Sequence, residues 1–216
     1  MPHKDTVIVF SAHSDDFVIG AGGTIAKYAK EGKRVLVLVM SYGEKSHPWM
    51  KDEVTQKFRA EEAFNAAEVL GCQVIFFNLI ELKFLEDYKQ KKLEHKIAEI
   101  INHEKPVKIL THSDEDPHPD HRATHKITRA VLKKIRFRPE VYQYAIWNPV
   151  SFRTPAVPRL YINITPTFSQ KIKALNQFPS QRFQVIYPLS LPIFFRNIIT
   201  GLKIKTWVAE EFHLVS

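Results

Sequence analysis

One cysteine, Cys72, is all that the 216 residues contain. An internal disulfide is therefore impossible, which excludes a disulfide-stapled secreted scaffold and points to a reducing, cytoplasmic compartment. Glycine is scarce too, seven in all, and no repeat or low-complexity linker divides the chain. Long apolar runs are missing. The segment Met1-Pro2-His3-Lys4-Asp5 lacks the apolar core of a signal peptide. The most apolar late stretch, Val185 to Thr200, is interrupted by Pro188, Pro192 and Arg196, and at about 16 residues it is too short for an ordinary spanning helix. No membrane span is expected. Acidic residues are outnumbered 23 to 31 by basic ones, leaving a net charge of +8. That excess suits polyanions, but the only runs, Lys89–Lys92 and Lys133–Arg138, are interleaved with helix-type apolar residues and read as solvated helix faces. No nucleic-acid partner is expected.

What is present is ordinary for a globular chain, with 44% apolar and 25% charged residues, so wholesale disorder is excluded. A single domain over 1–216 would bury roughly 70% of its unfolded surface without staples. Short β-branched runs at Val7–Phe10, Val35–Met40, Val74–Phe77 and Val107–Thr111 suit buried parallel strands. Between and after them, apolar residues at helical spacing predict helices over Gly22–Gly32, Arg59–Leu70, Leu93–Ile101 and His121–Ile135. Further strands are expected near Val141–Ile146 and Leu160–Ile164, and a helix over Gln170–Phe178. This alternation predicts an α/β fold, a Rossmann-like layer sandwich with a mostly parallel sheet. Prolines become frequent after Pro139, so the C-terminal third is expected to be less regular.

Open α/β sheets bind ligands beyond the carboxyl ends of their strands, and two segments there are chemically unusual. Ser11 to Thr24 follows the first strand and carries His13, Asp15 and Asp16. Thr111 to His121 follows the fourth and carries His112, Asp114, Asp116, His118, Asp120 and His121. Five of the ten histidines lie between His103 and His125. Imidazole and carboxylate together suit Zn²⁺ and similar divalent ions. His13, Asp16 and a histidine from the second loop would supply three ligands and leave Asp15 free to take a proton. As solvated turns the two loops would carry no chemistry, and Asp15 would merely cap a helix.

Three of the seven glycines fall within Gly20–Gly23. A glycine-rich turn opening a helix can cradle a phosphate, which makes a nucleotide-binding protein one alternative. The G-x-G-x-x-G pattern is incomplete, because Ile25 occupies its last position, and close helix packing is the preferred reading. A basic polyanion-binding protein with a vestigial metal loop is the other alternative.

His13-Ser14-Asp15-Asp16, then Gly22-Gly23-Thr24, and His118-Pro119-Asp120-His121 downstream together resemble the PIG-L/LmbE family of zinc-dependent de-N-acetylases. Arg59-Ala60-Glu61-Glu62-Ala63 is similar to the family's arginine-bearing helix. Ile164-Thr165, Lys171, Ala174-Leu175, Ser180-Gln181 and Ala209-Glu210-Glu211-Phe212 echo its later segments. Ser14 and Phe17 stand where the family usually has proline and glutamate. The resemblance implies His13, Asp16 and His121 as Zn²⁺ ligands and Asp15 as general base. It further implies His118 as the group that polarises or protonates the substrate, Asp120 as the residue orienting His118, and Arg59 as a substrate contact. The implied substrate is a small N-acetylglucosamine-type sugar or conjugate. A homo-oligomer using Val185–Ile199 is expected as well.

Overall fold

The computed structural model describes residues 5–47, 49–147 and 157–215, and of Gln184 the backbone only. The remaining parts of the expected 1–216 domain, including the segment 1–4, lie outside the described residues. Seven strands form one sheet: β1 (Thr6–Ser11), β2 (Arg34–Val39), β3 (Gln73–Phe76), β4 (Lys108–His112), β5 (Glu140–Tyr144), β6 (Arg159–Asn163) and β7 (Ala209–Leu214). Their order is β3-β2-β1-β4-β5-β7-β6. The first five run parallel, while β7 is antiparallel to both β5 and β6. This is the expected α/β fold with a mostly parallel sheet.

Among the described residues seven α-helices cover the sheet: α1 (Asp16–Lys30), α2 (Asp52–Leu70), α3 (Phe84–Gln90), α4 (Leu93–Glu104), α5 (Pro119–Leu132), α6 (Phe168–Leu175) and α7 (Tyr187–Lys203). Strand alternation sorts the core into two halves. Val7, Val9, Val35, Val37 and Val39 pack with Ile25 of α1, Ala63 and Ala66 of α2, Phe178 and Phe212. Ile8, Phe10, Leu36, Leu38 and Ile109 face the other way, onto Phe84, Ile97, Ile101, Ile127 and Val131 of α3 to α5. Two buried faces explain why β1 and β2 read as continuous apolar runs rather than alternating ones.

The C-terminal third departs from expectation. Most of the stretch expected to be broken by prolines is α7, with Pro188 in its first turn and Pro192 inside it. Proline is pre-organised at a helix start. Pro192 lacks the N–H that would have paired the Pro188 carbonyl, and both residues are exposed, so solvent is free to donate to that carbonyl instead. Among the described residues no helix is long and apolar enough to cross a membrane.

The glycine segment lies inside α1 rather than opening it. A Cβ on Gly20 would sit 2.2 Å from the Tyr144 ring, and one on Gly23 would sit 2.6 Å from Ile164. Close packing therefore accounts for these glycines, and no backbone turn is left open for a pyrophosphate.

Candidate metal centre

The sheet order reverses direction at β1, whose neighbours β2 and β4 connect to opposite sides. The crevice beyond β1 and β4 is thus the topological switch point, where ligands bind in folds of this type. Both histidine-bearing loops end there. His13 follows β1, and Ser11 fixes the turn: its hydroxyl donates to the His13 carbonyl at 2.7 Å and accepts the Phe17 N–H at 3.1 Å. The Asp16 carboxylate accepts the His13 N–H at 2.8 Å. Phe17, where the resemblance leads one to expect glutamate, is fully buried in the core beneath α1. Ser14 donates to the Tyr42 carbonyl.

Asp16 Oδ2 is the hub. It lies 3.2 Å from His13 Nδ1, 3.3 Å from His121 Nε2 and 3.5 Å from His112 Nε2. His13, Asp16 and His121 are all buried, and their ligand atoms lie within 4.8 Å of one another. Two other sets meet the same criterion, His13–His118–Asp120 and His112–Asp116–His121. His112 belongs to the wall of the site: its Nε2 accepts the Ala12 N–H at 2.9 Å, and the Tyr144 hydroxyl lies 3.2 Å away.

Electrostatics tests whether a cation fits. Burial works against a charged imidazole, yet the Asp120 and Asp16 carboxylates outweigh it and hold the His13 pKa well above its ordinary 6.5. Burial also opposes charge on His121, but Asp16 and Asp116 lift its pKa to about 9. The same pairing, chiefly with His121, overcomes burial to keep Asp16 well below the ordinary carboxylate range. The pocket thus demands positive charge among its carboxylates. A divalent ion meets that demand, and two imidazoles with one carboxylate are the donor set that Zn²⁺ takes in catalytic sites. The residues fit a metal.

Asp15 is the N-cap of α1, but its side chain makes no cap hydrogen bond. Instead its Oδ1 lies 3.4 Å from Nη2 of Arg59. Arg59, expected as a substrate contact, is 2% exposed, so the structure buries it against Asp15 rather than leaving it on the open rim. Its Nε donates to the Tyr42 carbonyl at 2.9 Å, and its Nη1 is buried without a hydrogen-bond partner. Gly43 makes this fit possible: its φ is +83°, and a Cβ there would sit 2.6 Å from the Arg59 guanidinium.

The orienting carboxylates differ from the expected ones. The Asp120 carboxylate does not hold His118. It accepts the Leu82 N–H at 3.0 and 3.1 Å and lies 3.3 Å from His13 Nε2. It is the backbone N–H of Asp120 that reaches His118, donating to Nδ1 at 3.2 Å as an N-cap of α5. The His118 proton therefore sits on Nε2. Burial, with the nearby His13 and His121 charges, pulls the His118 pKa down to about 4, which makes it a neutral hydrogen-bond donor at pH 7.

Asp116, to which the sequence assigns no separate role, is the carboxylate behind His121. It is fully buried, its Oδ1 lies 3.0 Å from His121 Nδ1, and its Oδ2 accepts the Ile146 and Trp147 N–H groups at 3.2 Å. Burial would raise its pKa, but His121 draws it down to about 2. Its Oδ1 also accepts the His118 N–H at 3.0 Å, an Asx turn that the Asp116-Pro117 pair signals in the sequence. Glu81 joins from the segment after β3, 3.5 Å from His13 Nε2.

Comparisons with known proteins follow this geometry. The family model for PIG-L, described as GlcNAc-PI de-N-acetylase, matches residues 8–132. A 4-oxalmesaconate hydratase of Pseudomonas putida is 32% identical over 199 residues, covering 83% of this chain and 75% of its own. An uncharacterized deacetylase of Escherichia coli, YaiS, is 26% identical over 186 residues, covering 81% and 90%. The crystal structure of GalB, the 4-carboxy-2-hydroxymuconate hydratase of Pseudomonas putida, superposes with a TM-score of 0.84 at 26% identity over 98% of this chain and 96% of its own. The chain belongs to the PIG-L family.

Proposed function

We propose that this chain is a metal-dependent hydrolase that removes the N-acetyl group from a small N-acetylglucosamine-type sugar or conjugate. The observation that carries the reading is one buried carboxylate, Asp16, shared by imidazoles from both loops at the switch point, with a second carboxylate, Asp15, beside it. His13, Asp16 and His121 would hold Zn²⁺. When bound, the ion supplies Lewis acidity and lowers the pKa of water toward about 7. Asp15, fixed by Arg59 and not engaged as a helix cap, takes the proton from the attacking water. His118 offers its Nε2–H to the oxygen on which charge develops and acts as a neutral donor there. Asp116 keeps His121 in the tautomer and orientation a ligand needs. Asp120 plays that part for His13 and anchors the backbone at Leu82.

A second reading is water addition to an unsaturated carboxylate. A specific observation favours it: Arg159, Arg196, Lys203 and His213 line a pocket near the same rim, and a hydratase is among the relatives. Both reactions need activated water, so the metal centre alone does not separate them. Zinc-loaded protein should release acetate from at least one member of a panel of N-acetylglucosaminyl compounds. Absence of acetate release across the panel, together with bleaching of the near-ultraviolet absorbance of conjugated enoic di- and tricarboxylates, would replace the first reading with the second.

A further inference from the structure

Beyond the carboxyl end of β5 lies a pocket of about 330 Å³ with two unlike walls. One wall is apolar, made by Pro192, Phe195 and Ile199 of α7. The other is cationic, and its charges are unevenly used. Glu211 alone serves three of them, lying 3.1 Å from Arg159, 2.8 Å from Lys203 and 2.8 Å from His213. Arg196 has no such partner. Its Nη1 donates to the Ala145 carbonyl at 2.8 Å, and among the described residues no carboxylate oxygen lies within 4 Å of its guanidinium. The five N–H donors of this half-buried side chain thus meet one protein acceptor among the described residues, the Ala145 carbonyl. Burial disfavours its charge, which Glu210, Glu211 and Asp116 support only from beyond ion-pair distance, and the planar fork of arginine matches a carboxylate in two parallel hydrogen bonds. Ser113 and Glu115 also line the pocket.

The pocket is separate from the metal centre but adjoins it. The carbonyl of the 145–146 peptide accepts from Arg196, while the N–H of that same peptide, on Ile146, donates to Asp116. In a trans peptide these two groups point in opposite directions within its plane, so Arg196 and Asp116 meet opposite edges of one peptide unit.

We propose that this pocket is a binding site for a small carboxylate with a flat apolar body, the carboxylate on Arg196 and the body against Phe195. Carboxylate binding at this site does not depend on which reaction the metal centre carries out.

Benzoate and its neutral isostere benzamide test the idea by calorimetric titration of zinc-loaded and chelator-stripped protein. Benzoate should bind saturably in both forms, at least about tenfold tighter than benzamide, the size of one charge-assisted pair. Arg196→Gln should bring the two probes within about threefold of each other. Glu211→Gln, which frees Arg159 and Lys203, should tighten benzoate alone. Phe195→Ala should weaken both probes. Equal affinity for benzoate and benzamide would overturn the proposal, as would benzoate binding that disappears with the zinc, or an unchanged ratio in Arg196→Gln. Should Arg196→Gln fail to melt cooperatively, Glu211→Gln and Phe195→Ala decide the matter in its place. Acetate release is read separately: benzoate binding without any turnover would keep the pocket and remove the de-N-acetylase reading.

Discussion

Asp15 and Asp16 are neighbours in sequence with different surroundings, and that difference is the basis of the division of labour between them. Asp16 is surrounded by imidazole nitrogens, whereas Asp15 touches Arg59. Asp15→Asn should therefore retain metal while kcat falls by about 10²–10⁴, the usual contribution of a general base, and the melting temperature should drop as the buried Arg59 loses its counter-charge. Metal content, melting temperature and turnover measured on one preparation check this, and undiminished turnover in the loaded variant would refute the role. Asp116→Asn should act differently, because it weakens the hold on His121 from behind. Its expected effect is a loss of about 10–100-fold in metal affinity, read by competition with a chelator. A variant that keeps wild-type affinity would mean that His121 needs no partner. The candidate ligand residues were legible in the sequence because histidine and aspartate cluster after two apolar strands. Which carboxylate serves which imidazole was not legible. Asp116 and Asp120 are both two residues from His118, and only the turn at Pro117 and the start of α5 decide that Asp116 faces His121 while Asp120 faces His13.

At the scale of elements, periodicity placed the strands to within two residues and gave most helices, since each half of the core repeats along its strand or helix. It failed at helix starts. The helix expected from Arg59 begins at Asp52, because its polar first turns carry no apolar stripe, and the one expected from Gly22 begins at Asp16, because the continuous apolar run Phe17-Val18-Ile19 has no helical spacing of its own. The strand β7 is legible through the family resemblance rather than through its own pattern, as Glu210 and Glu211 break any apolar run. Glu210 is nevertheless buried, accepting from Lys171 at 2.6 Å and from the Gly23 and Thr24 N–H groups of α1. That buried pair and the glycines together set how closely α1 lies on β5 and β7. Gly20→Ala should cost about 1–3 kcal/mol by overpacking, since Tyr144 is fully enclosed and its hydroxyl bonds the Phe10 carbonyl at 2.6 Å. Gly22→Ala meets only the flexible Lys171 stem and Val18, both at 3.3 Å, and gains about 1 kcal/mol of helix propensity, so it should come out near neutral. Urea unfolding of both variants checks the contrast, and equal effects would refute the packing account.

At the scale of the whole molecule, one surface is unlike the rest. Phe183, Tyr187, Leu191, Phe195, Ile199 and Leu202 recur about every four residues, and each is more than half exposed. They form a stripe along the outer side of α7 and the turn before it, while Leu189 and Ile193 on the inner side join the core. Trp207, at 83% exposure, lies just beyond the helix end. Scattered exposed apolar side chains are ordinary, but a contiguous stripe with several aromatics marks a contact surface. The net charge of +8 opposes close approach of two copies elsewhere on the surface, whereas the stripe itself carries few charges. The homo-oligomer expected through Val185–Ile199 therefore has its natural seam on the outer face of α7. Light scattering should give a mass at least twice the 25.1 kDa of one chain. Leu191→Glu with Leu202→Glu should return it to that of one chain without lowering the melting temperature of the isolated fold by more than surface substitutions do. Phe195 and Ile199 belong both to this stripe and to the pocket lined by Arg196, so the single-chain form, with that wall uncovered, should bind carboxylate at least as well and keep its metal. A wild-type mass of 25.1 kDa across working concentrations would show that the stripe does not join copies of this chain.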